Sequence, residues 1–145
     1  MPLSLNVVTP ERTLLAREDV VRITAPATEG QITVLPRHAA LMTSLDVGEL
    51  TVATPEGVID MAVFGGFLQV SDDHVSVLAD AAERADEIDE ERAETARRRA
   101  EERLAGPRDA AEAVDLLRAQ ASLRRSLLRL RVRRHRRGAR ASAER

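Results

Sequence analysis

Four arginines and a carboxylate in the second half of the chain have the types and spacing to grip phosphate oxygens. Asp89, Arg92 and Arg99 share roughly one face of a helix, and Arg125 and Arg129, four residues apart, share a face of another. If two such helices fold back on each other, the guanidinium forks converge. Each fork can bind phosphate oxygens bidentately, with the carboxylate holding the cluster in orientation. The same spacing also fits two solvated faces tied by pairs such as Glu94–Arg98, so spacing alone leaves both readings open.

Other chemistries find little support. His38, His74 and His135 are too dispersed for a metal site. There is no cysteine and no lysine, since all 22 basic residues are arginine. That excludes a thiolate nucleophile, a disulfide and a P-loop lysine. Gly65-Gly66 reads as a bend or bulge between strands, and Asp72-Asp73 as a hairpin turn. No nucleophile-elbow pattern occurs. The chain reads as non-enzymatic, with no required cofactor.

The arginines need helices, and the chain changes its period to supply them. Up to about residue 79 the apolar residues alternate. LSLNVVT (3–9), VVRITAP (20–26), QITVL (31–35), ELTVAT (49–54), VIDMAVF (58–64), FLQV (67–70) and HVSVLA (74–79) are β-branched and bounded by turn residues, Gly48 among them. Val75, Val77 and Ala79 share one face of their strand, Ser76 and Leu78 the other. Short strands with tight turns predict an antiparallel sandwich or barrel. With Phe64 and Phe67 as the only aromatics, its core is aliphatic.

From residue 85 onward the period is helical. Asp86 is the expected N-cap, with Asp89, Glu87, Glu90 and Glu91 favouring a helix start. Gly106-Pro107 stops the run, Asp109 and Glu112 start a second helix, and that helix is expected to end near Arg136. The facing residues are expected to be Ala93, Ala96, Ala100 and Leu104 against Leu116, Gln120, Leu123, Leu127 and Leu130. Alanines bury little area, so the pair is weakly held and able to open. The fold class is therefore α+β: an N-terminal antiparallel β-sandwich or barrel, then a C-terminal antiparallel α-helical hairpin.

A formal net charge of −2 hides a strong polarity. Residues 1–117 carry 11 arginines against 23 carboxylates, a balance of −12, whereas residues 118–145 carry 11 arginines against Glu144, a balance of +10. The basic end calls for an anionic partner. No apolar run reaches the roughly 20 residues of a membrane span, and the N-terminus has no signal-peptide pattern. The expected location is cytosolic, or the cytoplasmic face of a membrane through a complex. A rival reading is an arginine-rich nucleic-acid-binding or structural adaptor protein. Against it, the tail has no aromatic residue to stack on bases, so no nucleic acid is expected.

EGQITVLPRHAAL (29–41), AVFGGFLQV (62–70) and VSVLADAAERADEID (75–89) resemble the epsilon subunit family of F-type ATP synthases, called delta in mitochondria. The resemblance runs from about Leu3 to Val132 and covers both modules. It implies a non-catalytic rotor subunit of the central stalk: a β-sandwich (1–84) that binds gamma and the ring of c subunits, and a regulatory hairpin (85–136). A basic tail (137–145) is expected to be disordered. The hairpin of bacterial relatives extends along gamma and inhibits ATP hydrolysis, its basic second helix meeting the alpha/beta catalytic head. By the same resemblance Arg118, Arg124, Arg125, Arg129, Arg131 and Arg133 make that contact, and Glu29 and His38 lie on the loops facing the c ring. Some relatives bind ATP as a regulatory ligand in the folded hairpin. Their motif appears here as Ile88-Asp89-Glu90-Glu91-Arg92-Ala93, with Glu83, Arg99, Arg125 and Arg129 completing the implied site. Thr33 and Arg37 stand where relatives commonly carry glycine.

Overall fold

The computed structural model describes residues 1–106 and 113–143, in two units, Met1–Ala85 and Asp86–Arg145. The first unit holds eight strands: β1 (Leu3–Val8), β2 (Thr13–Val20), β3 (Arg22–Ala27), β4 (Gly30–Val34), β5 (Leu41–Thr54), β6 (Gly57–Ser71), β7 (His74–Ala79) and β8 (Ala82–Arg84). They run in the order β2-β1-β7-β6-β5-β3-β4, with β8 beside β6.

Alternation does the sorting. Leu3, Leu5 and Val7 of β1 and Val75, Val77 and Ala79 of β7 all point inward and are buried, as a period of two requires. The long β5–β6 hairpin pairs from Leu41↔Val70 to Thr54↔Gly57. Midway along it, β6 exchanges one neighbour for another: Gly66 is the last residue paired with β7 and Val63 the first paired with β8. The sheet also turns back on itself, because β2, at one end of the order, touches β5 and β8. Arg17 of β2 is bound at 2.8 and 2.7 Å by Asp19 and at 3.4 Å by Glu56 in the β5–β6 turn. The Arg17 hydrogen bond holds the Asp19 carboxyl below its usual range. The result is a sandwich around one aliphatic core that includes Leu5, Ile23, Leu50, Met61, Leu68 and Val77.

Several strand boundaries differ from those expected. Gly48 lies inside β5, not in a turn, and β6 continues through Gly65-Gly66 without a break. A Cβ on Gly48 would sit 2.4 Å from the Pro26 Cβ, so glycine is needed there for close packing. Strand β2 had no alternating signal, since adjacent Leu14 and Leu15 are both buried and charges follow them. Strand β8 has only three residues. The β1–β7 pair is parallel within an otherwise antiparallel sheet. Arg37, at φ 66, takes the third position of a turn in which the His38 N–H donates to the Leu35 carbonyl at 3.1 Å. Positive φ favours glycine there. The Arg37 N–H donates in turn to the Asp73 carboxylate at 2.7 Å.

The second unit is a helical hairpin. A 3₁₀ turn (Ala85–Glu87) precedes α1 (Glu90–Ala105), and α2 spans Ala113–Ala143. The N-cap is Asp89, not Asp86, which lies in the 3₁₀ turn. Gly106 caps the C-terminus in an extended conformation. The expected stop at Pro107 and second start at Asp109 and Glu112 lie outside the described residues.

Ion pairs from α1 to the far part of α2 make the helices antiparallel: Glu90–Arg134 and Glu94–Arg134 at 3.8 Å each. Ala93 and Ala100 of α1 are buried as expected. On α2, Ala119, Ser126 and Leu130 form one buried stripe, Leu128 and Val132 are buried off it, and Gln120 and Leu127 are exposed. The helix is thus rotated about one position from the expected face. Ser126 can be fully buried because its hydroxyl donates to the Leu123 carbonyl at 2.9 Å. Helix α2 also continues past Arg136, its expected end, to Ala143. The arginines and alanines after Arg136 are strong helix formers, and the cost of Gly138, about 1 kcal/mol, does not stop them.

Candidate functional site

The Asp89-x-x-Arg92-Ala93 run is first of all a helix start. The Asp89 carboxylate accepts the Arg92 N–H at 3.1 Å, and its carbonyl accepts the Ala93 N–H at 3.0 Å. Beginning the helix there sends Ala93 inward to the seam and puts Arg92, Thr95, Ala96 and Arg99 along one stripe. With Asp89 and Glu91 they line a groove of about 440 Å³. Two guanidinium forks beside a carboxylate suit a phosphate-bearing ligand.

The groove gathers only part of the expected set. Asp89, Arg92 and Arg99 line it; Arg125, exposed on α2, and Arg129, half-buried there, do not. Glu83 belongs to β8 of the first unit, opposite Ala62. Ile88 is buried and lines a second groove of about 650 Å³ together with Asp89, Glu90, Glu91, Glu94, Arg133 and Arg134. Arg134 of α2 reaches the acidic turns of α1, and the sequence reading did not single it out. Glu90 and Glu94, one turn apart, were the available signal for it.

Local charge pairing also differs in detail. Arg97, not Arg98, is hydrogen-bonded to Glu94, with its Nε at 2.9 Å and its Nη1 2.8 Å from Glu101. The Arg97 hydrogen bond holds the Glu94 carboxyl below the usual range, against desolvation, with Arg134 adding to the effect. Asp86 pairs with Arg136 at 3.4 Å. Of the arginines assigned to a catalytic-head contact, Arg118, Arg124, Arg125 and Arg131 are exposed, and Arg129 and Arg133 are half-buried.

The first unit presents two further features. Glu29 is exposed in the β3–β4 turn and His38 is half-buried past the end of β4. The five residues of β4, roughly 16 Å of strand, separate them. The His38 Nδ1 lies 2.7 Å from the Ala39 carbonyl. On the outer sheet face, Val8, Leu78 and Phe67 lie side by side across β1, β7 and β6. Phe67 is 52%, Leu78 56% and nearby Met42 70% exposed. Clustered apolar side chains in solvent mark an interaction surface. The sequence hint was Leu78, apolar on the face opposite the core residues of its strand.

Comparison with known proteins identifies relatives of both units. Residues 2–85 match the family model "ATP synthase, Delta/Epsilon chain, beta-sandwich domain", and residues 86–133 match "ATP synthase, Delta/Epsilon chain, long alpha-helix domain". The ATP synthase epsilon chain of Herpetosiphon aurantiacus is 46% identical over 132 residues, covering 91% of this chain and 94% of the relative. That of Pelotomaculum thermopropionicum is 54% identical over 101 residues, covering 70% and 75%. Among solved structures, a chain of the Euglena gracilis mitochondrial ATP synthase (OSCP/F1/c-ring) aligns with a TM-score of 0.71 at 26% identity, covering 85% of this chain and 76% of that one. A chain from the central stalk and c-ring of the Tetrahymena thermophila mitochondrial ATP synthase shares the fold, with a TM-score of 0.61 at 17% identity over 92% of this chain and 97% of that one.

Proposed function

The chain belongs to the ATP synthase delta/epsilon family, and from that premise we propose that its sandwich is the docking half and its hairpin the regulatory half of a central-stalk subunit. The subunit is non-catalytic, and its partners are gamma, the c ring and the alpha/beta head. It joins the membrane through the complex, on the cytoplasmic face; among the described residues no helix is long and apolar enough to cross a membrane.

The sandwich meets gamma through the apolar patch of Met42, Phe67 and Leu78, because a permanent partner is what keeps such a patch from water. The polar loops bearing Glu29 and His38 are left for the c ring. The hairpin opens along gamma and brings Arg118, Arg124, Arg125, Arg129, Arg131 and Arg133 to acidic surfaces of the head. One observation carries this reading: apart from Leu130, the buried residues along which the helices meet are Ala93, Ala100, Ala119 and Ser126. Small residues bury little apolar area, so the closed form is cheap to leave. Deleting residues 88–145 from the assembled complex is expected to leave the sandwich bound to gamma and to raise ATP hydrolysis several-fold. An unchanged rate rejects the inhibitory role.

ATP is the proposed regulatory ligand of the closed hairpin. Its phosphates lie against Arg92 and Arg99, with Asp89 orienting the forks and Ile88 and Ala93 shaping the helix start. Calorimetric titration of the chain with ATP is expected to give binding heat that disappears in the Arg92→Ala/Arg99→Ala variant. No heat at millimolar ATP, or equal heat from the variant, removes ATP from the account.

A further inference from the structure

Among the described residues, three cross-helix ion pairs lie together at one end of the hairpin. Glu90 and Glu94 both reach Arg134, at 3.8 Å, and Asp86 reaches Arg136, at 3.4 Å. This is the end farthest from the connection between α1 and α2. Beyond it the buried stripe is Ala93 and Ala100 on α1 against Leu130, Ser126 and Ala119 on α2, so all but Leu130 supply little apolar area. The carboxylates lie in and just before the first turns of α1, and the arginines lie about two turns before the end of α2 at Ala143.

We propose that Asp86, Glu90 and Glu94 are an ionic latch that holds the open end of the hairpin shut by occupying Arg134 and Arg136. The acidic turns act as an internal stand-in for an external acidic surface: closed, α2 spends these cations on α1, and released, it has them to offer elsewhere. Exposed pairs are individually weak and are screened by salt, which suits a catch that must yield. A purely apolar seam would hold equally well at all ionic strengths. The regulatory consequence rests on the reading that the opened hairpin meets the catalytic head; the latch itself is a property of the free chain.

The chain has no cysteine, so labels placed at Arg98→Cys and Ala121→Cys, both exposed positions, report the separation of the helices by pulsed spin-label distance measurement. In the free protein at low salt, Asp86→Asn/Glu90→Gln/Glu94→Gln is expected to raise the open population roughly five- to tenfold. Added salt is expected to open the unaltered hairpin and to have little further effect on the variant. Reversing the charges on both sides, with Arg134→Glu in a Glu90→Arg/Glu94→Arg background, restores closure. An open population insensitive to salt and to the triple substitution overturns the latch, as does a charge-reversed chain of unchanged helicity that stays open. If the triple variant opens in solution yet hydrolysis by the assembled complex is unaltered, the latch stands and the regulatory reading of the hairpin falls.

Discussion

Gly66→Ala is expected to destabilise the sandwich by about 3–5 kcal/mol, enough to consume much of the stability of a domain this small. Two effects act together. Gly66 has φ +131, a region essentially closed to residues with a Cβ, at a cost of about 1–3 kcal/mol. The added methyl would also lie 2.2 Å from the Leu78 carbonyl oxygen and 2.8 Å from the Ala79 Cα. These are backbone atoms of the neighbouring strand, so no side-chain rotation relieves the contact, and overpacking adds about 1–3 kcal/mol. Moving β7 away would break the Gly66↔Ala79 pairing. Gly57→Ala isolates the first effect, since Gly57 has φ +137 but nothing within 4 Å of the added carbon. Urea unfolding followed by far-UV circular dichroism should therefore show a much larger loss for Gly66→Ala. Equal losses at the two positions would show that backbone strain alone matters.

Phe67→Glu/Leu78→Glu is expected to abolish capture by gamma while leaving the chain folded. Both side chains already stand more than half in solvent, at 52% and 56%, so charging them costs the isolated protein little. At an interface the same change buries two carboxylates among apolar atoms. Central apolar anchors are worth about 2 kcal/mol or more each, so the pair should weaken association by roughly 500- to 1,000-fold. Val58→Glu is the matched control: Val58 is 56% exposed but lies near the tip of the β5–β6 hairpin, beyond this patch. Co-expression with gamma and affinity capture reads the result. Retention of the double variant by gamma would move the docking surface to another face of the sandwich.

How much of this was legible before the structure depends on which physical signal each part emits. Strands β1 and β7 alternate cleanly and were read nearly to the residue, because their two faces meet different surroundings. Strand β2 was lost because Leu14 and Leu15 are both buried and charges break the period after them. Gly48 looked like punctuation, yet its role is to admit Pro26, a contact between residues 22 positions apart that no local pattern reports. The same limit governed the hairpin. Its existence followed from the period of 3.6, but its rotation depended on which small residues could come closest, and Ser126 was hidden by its polarity. Within the candidate site, the Asp89–Arg92–Arg99 stripe was readable because it lies within one helix. The meeting of Glu90 and Glu94 with Arg134 was not, since the offset between two helices is set by the connection and the seam together.

The parallel pairing of β1 with β7 has a consequence for the order in which the first unit is made. Ser4 lies opposite His74, so joining them closes a loop of about 70 residues, whereas the β5–β6 hairpin closes at its own turn. Long loops carry a larger entropic cost before their contacts reward it. On a ribosome, β1 emerges first and then waits for nearly the whole sandwich before its ladder with β7 can form. Until that moment the apolar faces of β1 and of the later strands have no cover from each other, so the nascent chain is most exposed to aggregation just before residue 79 is released.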